Sequence, residues 1–114
     1  MKRLLWLPGL LLALAGCSSP SLYYWGHYEG LIYVTYDSPG KVSPEMAVGQ
    51  LEEDYQKARS ANKPVPPGWH AHLGFLYYQL GKLDQAQQEF MTEKANFPES
   101  AVFMDRLLAN LKKQ

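Results

Sequence analysis

Proline and glycine place the tightest limit on how this chain folds. Pro39-Gly40, the run Pro64-Val65-Pro66-Pro67-Gly68, Gly81 and Phe97-Pro98 interrupt it repeatedly. Proline lacks an N–H and its ring clashes with the preceding turn, so no helix runs through such a point. The runs of glycine and proline are also typical turn signals. Most segments between these breaks carry apolar residues at helical spacing. Short helices joined by tight turns, an all-α fold, are therefore expected.

Ser43-Pro44-Glu45 is a helix start, with serine at the N-cap and proline in the first helical position. That helix should run to about Ala61, with Ala47, Leu51, Tyr55 and Ala58 inward. Glu52, Glu53, Asp54, Lys57 and Arg59 then fall on a solvated face, with Glu53 and Lys57 as an i, i+4 ion pair. A second helix is expected from Trp69 to Leu80, with Leu73, Leu76, Tyr77 and Leu80 as its stripe. Gly81 suits a left-handed cap. The next helix should open at Leu83-Asp84 and end near Asn96, with Ala86 and Phe90 inward and Met91 and Ala95 as secondary inward positions. The last covers about 100–112, with Phe103, Met104, Leu107, Leu108 and Leu111 facing the core. Residues 23–36 hold six aromatics and admit two readings. Ile32 to Tyr36 has the β-branched and aromatic content of a strand. Tyr28, Leu31, Ile32 and Tyr36 instead form a helix stripe that stops at Pro39-Gly40, and a short helix over 27–37 is favoured.

The first sixteen residues have the layout of a secretory signal peptide. Lys2 and Arg3 are followed by an apolar run from Leu4 to Leu14 and then by small residues. The run falls short of the roughly 20 apolar residues that a spanning helix needs. Leu14-Ala15-Gly16-Cys17 closely resembles the bacterial lipobox. That resemblance implies diacylglyceryl transfer to the Cys17 thiol, cleavage before Cys17, and acylation of the new amino group with a chain such as palmitate. Cys17 is the single cysteine, so no internal disulfide is available. Several acyl chains, at about 0.8 kcal/mol per buried CH₂, would make the anchor stable. Serine rather than aspartate at position 18 implies the outer membrane of a Gram-negative envelope, on its periplasmic face.

The middle of the chain resembles a tetratricopeptide repeat. Leu73-Gly74-x₂-Tyr77 is followed in register by Ala86-x₃-Phe90 and Pro98, although the tryptophan slot falls on His70. In this pattern Gly74 lets two helices approach, Ala86 is the small partner, Tyr77 and Phe90 fill the space between, and Gly81 makes the turn. Ala61-Asn62-Lys63-Pro64 returns as Ala95-Asn96-Phe97-Pro98, one 34-residue tetratricopeptide period later. Residues 44–64 would then close an earlier, worn repeat, and the last helix would cap the stack. The mature chain also resembles a family of small proteobacterial lipoproteins carrying a domain of unknown function. The carrying residues are Tyr24-Trp25-Gly26, Leu51-Glu52-x₂-Tyr55-x-Lys57-Ala58, Asn62 to Gly68, His70 to Gly74 and Phe97 to Ser100. The resemblance implies a setting beside a lipoprotein similar to the curli-secretion channel CsgG, and it brings no catalytic residues.

Candidate chemistry is sparse. His70 and His72 are two apart, a poor chelate on a helix. His27 stands alone among aromatics, and Glu52-Glu53-Asp54 is read as a solvated charge run. No phosphate loop, zinc spacing or nucleophile elbow is present. The chain has a formal charge of zero, and without Lys2 and Arg3 it is slightly acidic, which gives no basic face for nucleic acid. Tyrosine and tryptophan favour interfaces, since one end is apolar and the other wet. Tyr23, Tyr24, Trp25 and Tyr78 are therefore the candidate partner surface.

The expectation is a signal peptide (1–16), a lipidated tether with an aromatic segment (17–26) and a tetratricopeptide-like domain (27–114). Its expected role is that of a non-enzymatic, outer-membrane accessory or scaffold lipoprotein, without cofactor or metal, that meets a CsgG-like partner. A pilotin-like escort of an outer-membrane multimer is the alternative, and an envelope enzyme comes third.

Overall fold

The computed structural model describes residues 21–113. The expected signal peptide (1–16), with Leu14, Ala15 and Gly16, and the expected lipidation site Cys17 lie outside the described residues. Five α-helices follow one another: α1 (Tyr28–Asp37), α2 (Pro44–Ser60), α3 (Trp69–Gln79), α4 (Leu83–Asn96) and α5 (Ala101–Leu111). A short 3₁₀ turn, Pro98–Ser100, precedes α5. Among the described residues there is no strand, so the fold is all-α.

Helix α1 forms where a strand was the competing reading. Leu31 is buried, and the Thr35 hydroxyl donates to the Leu31 carbonyl one turn back. The helix stops as the Ser38 N–H reaches the Val34 carbonyl and the chain turns at Gly40, φ +85°. Its stripe differs from the expected one at Tyr36, which is 83% exposed. Tyr36 lies on the far side of α1 from Leu31, where none of the other described helices packs.

Ser43 caps α2 by accepting the Met46 N–H at 3.2 Å, with Pro44 in the first turn. Ala47, Val48, Leu51 and Ala58 are buried. Two positions correct the sequence reading. Asp54, placed on the solvated face, is 0% exposed. Tyr55, placed inside, lies at the edge and stacks on Trp69 with ring centroids 5.6 Å apart. The Glu53–Lys57 pair forms at 2.8 Å on the exposed side.

Helices α3 and α4 make the closest-packed hairpin. Gly81, φ +75°, allows the tight reversal, and the Lys82 N–H closes it on the Tyr77 carbonyl. Leu73, Tyr77, Ala86 and Phe90 are buried in the seam. Gly74 is what brings the two helices together: a Cβ there would stand 2.6 Å from the Phe90 ring. The α1–α2 pair has no such device, since Gly30 faces open space.

Helix α5 covers the end of the hairpin through Met104, 1% exposed, with Leu107, Leu108 and Leu111 half-buried beside it. Phe103 was expected in that stripe but is 60% exposed, and Met91 on α4 is 54% exposed. Ala95 is exposed as well. In each case the residue sits beside the contact line rather than on it, because α4 and α5 each bury only a narrow stripe.

Candidate functional site

A groove of about 320 Å³ lies between α1, the α1–α2 turn and α3. Leu31 and Val34 of α1 line one side and Phe75 and Leu76 of α3 the other, with Val42 and Ala47 also in the lining. Thr35, Ser38 and Gln79 supply polar atoms around it. Phe75 is 46% exposed, a large apolar side chain at the edge of an apolar hollow. Such a groove suits apolar side chains of a docking segment; the Thr35 and Ser38 hydroxyls already donate to the Leu31 carbonyl and to Asp37 and can still accept.

His72 also lines this groove and meets the Tyr28 ring edge-on at 6.0 Å. Burial pushes its imidazole below the ordinary value of 6.5, so the ring is neutral at pH 7. In the unfolded chain the same ring takes up a proton near pH 6.5. Between that point and the lower folded value, the unfolded state binds more protons, so stability falls as pH falls. Below the folded value both states are protonated and the loss levels off. His72→Gln should flatten the stability slope below pH 6.5 in denaturation measured from pH 7.5 to 5. An unchanged slope would assign it to another group.

On the other side of the α2–α3 contact lies a smaller cleft of about 210 Å³. There the His70 ring Nδ1 pairs with Glu89 Oε2 at 2.6 Å, and the Tyr77 hydroxyl donates to Glu52 Oε1 at 2.7 Å. Burial, then the bond to Glu52, holds the Tyr77 phenol well above its usual range, so it stays a donor. The carboxylates of this cleft are thus engaged in joining helices. His70 and His72 point to different features and share no partner, so the two do not form one site. Among the described residues, no group of three or more His, Cys, Asp or Glu is placed to hold a metal ion.

Two buried carboxylates escaped the sequence reading. Asp54 accepts the His27 backbone N–H at 2.6 Å and pairs with the His27 ring Nδ1 at 2.9 Å. It closes the N-terminus of α1, which has no side-chain cap of its own. His27 is therefore not isolated. Glu93, 3% exposed, accepts the Gly68 N–H at 2.6 Å and so fixes the start of α3. Burial, and then the charge of Glu93, raises the Tyr28 phenol above its ordinary value. Neither carboxylate has a local motif, because their partners lie 27 and 25 residues away in the chain.

The aromatic segment before α1 folds back on the domain. The Tyr24 N–H donates to the Pro64 carbonyl at 2.8 Å, and Tyr24 packs on the core. Tyr23 meets Trp25 and Phe97 edge-on, both at 6.4 Å. Trp25, 37% exposed, stacks on Tyr28. Tyr23 and Tyr24 are thus half-buried straps, and only Trp25 offers much surface. Tyr78 is half-buried and stacks on Phe75 at 6.5 Å, which places it behind the groove wall. Leu73, Gly74, Tyr77, Ala86 and Phe90 meet in the α3–α4 seam, with Gly81 at its turn and Pro98 opening the 3₁₀ turn. Phe75 and His72 were not singled out as groove residues. Their signal is faint: they flank the buried stripe of α3 on the side facing α1.

A family model described as a domain of unknown function (DUF4810) matches residues 22–107. That span takes in all of α1 to α4, the groove and most of α5. Neither the curated proteins nor the solved structures yield a match.

Proposed function

The chain belongs to the family described as a domain of unknown function (DUF4810), and we propose that this member is a non-enzymatic docking lipoprotein of the outer membrane. The observation that carries the reading is the apolar groove between α1 and α3, with Phe75 exposed at its edge. Its occupant in this reading is an apolar segment of a CsgG-like secretion lipoprotein anchored in the same leaflet. Support for the anchor comes from the lipobox-like Leu14-Ala15-Gly16-Cys17 ahead of the helical domain. No helix among the described residues is long and apolar enough to cross a membrane. Two partners held in one leaflet gain effective concentration, so a groove of this size suffices where it would be weak in solution.

A photo-cross-linking side chain in place of Phe75, in the full chain in native membranes, tests the reading. The expected adduct is with a CsgG-like lipoprotein, and the same probe in place of Gln88 on α4 should give none. Phe75→Glu should lower recovery at least tenfold, the loss of about 1.4 kcal/mol or more expected at a buried aromatic anchor. Cys17→Ala should lower it through loss of the shared leaflet. Absence of any envelope-protein adduct at position 75 would sink the proposal.

A further inference from the structure

Helices α1 and α5 each present an outer face that no other described helix covers, and the two faces are chemically complementary. On α1 the outward stripe carries Tyr33, 68% exposed, and Tyr36, 83% exposed. With Tyr28 and Ile32 they line a shallow hollow bounded by Glu29 and Asp37. Helix α1 contains no basic residue. On α5 the outward stripe carries Val102, 69% exposed, and Phe103, 60% exposed. Arg106 lies on that same side, and Lys113 follows just past the helix end; both are exposed. The one acidic residue of α5, Asp105, is already paired with Lys94 at 2.7 Å. Capping helices of a helical stack ordinarily turn a polar face outward, whereas each of these also exposes two large apolar side chains there.

We propose that a second copy of this chain docks head-to-tail, with α5 of one copy seated on α1 of the next. Val102 and Phe103 enter the tyrosine-lined hollow, and Arg106 and Lys113 meet Glu29 and Asp37. The two acids stand about 12 Å apart along the α1 axis at 1.5 Å per residue, and the two bases are likewise separated along α5, Arg106 within the helix and Lys113 just past its end at Leu111. The helices are also nearly equal in length, 10 and 11 residues. Both copies use a different face, so the contact is heterologous and propagates into a ring or a row rather than closing as a two-fold dimer. The acidic pair on α1 is the reason to choose a second copy over an anionic bilayer as the occupant, because like charges repel. This inference does not depend on what fills the groove, which lies on the opposite side of α1.

The test uses two full-length, differently tagged copies expressed together. One carries Tyr36→Cys and the other Val102→Cys, and mild oxidation is applied in membranes. The unsubstituted chain, whose one cysteine is Cys17, sets the background. A disulfide joining the two tags, with at least fivefold less 36–36 or 102–102 product, is expected. Glu29→Lys with Asp37→Lys on every copy should reduce the product at least tenfold. Adding Arg106→Glu and Lys113→Glu on the Val102→Cys copy should restore it, which also shows that the reversed chains fold. Predominance of the symmetric products, or no product above background, would overturn the inference. So would protection of Tyr36→Cys from a water-soluble maleimide by membranes without any cross-link, since α1 would then lie on the bilayer.

Discussion

Gly26→Ala should detach α1 from the rest of the protein. Gly26 holds φ +50°, and a Cβ there would collide with the Asp54 carboxylate. A left-handed conformation costs an L-residue about 1–2 kcal/mol. The carboxylate cannot swing aside into solvent, because Asp54 is fully buried between the helices. Moving it breaks its bonds to the His27 N–H and ring, and hydrogen bonds to a charged group contribute about 1.5–3 kcal/mol. A loss of about 3 kcal/mol or more follows, concentrated in residues 23–37. Hydrogen exchange should show α1 amides losing protection while the α3–α4 hairpin keeps its own. Asp54→Asn, which retains one acceptor, should cost about 1–2 kcal/mol and act on the same residues. Uniform loss of protection across all five helices would mean that α1 is not separately held by this carboxylate.

Gly74→Ala should destabilise the hairpin even though alanine is the better helix former. The propensity gain is about 1 kcal/mol. Against it stand a methyl 2.6 Å from the Phe90 ring and 3.2 Å from the Glu89 Cβ. Phe90 is 2% exposed and has no room to retreat, and the Glu89 Cβ moves only with α4 itself. Overpacking of this kind costs about 1–3 kcal/mol, and because neither neighbour can give way the upper part of that range applies, so the net expectation is a loss of up to about 2 kcal/mol in chemical denaturation. Phe90→Leu removes the ring atoms that clash. The double variant should therefore be more stable than the sum of the single changes, with a coupling of about 0.5–3 kcal/mol. Strict additivity would show that the alanine methyl is accommodated elsewhere.

Both predictions turn on glycines, yet they differ in how visible they were. Gly74 was legible from its spacing to Tyr77, Ala86 and Phe90, because two consecutive helices pack in a register that sequence distance repeats. Gly26 carried no comparable signal. Its constraint comes from Asp54, which stands in a run of three acids that reads as solvated. Helical periodicity assigns a face to each residue of α2, but it cannot say that the chain returns over that face with an unsatisfied N–H. The same limit explains Glu93 and the groove. Residues 72 and 75 line a site only because α1, far away in sequence, lies across α3.

The sequence by itself determined the helical character of α2 to α5, the helix ends at prolines and glycines, and the α3–α4 hairpin, while it left α1 open between helix and strand. These depend on backbone sterics and on neighbours within a few turns, both of which are local. The tertiary structure alone decided which acids are buried, which side of α1 forms the groove, and that α1 and α5 each keep an uncovered apolar face of opposite charge. Those properties depend on which surfaces meet after the chain has turned back, where one buried carboxylate satisfied by a distant N–H outweighs the exposure that its local pattern suggests.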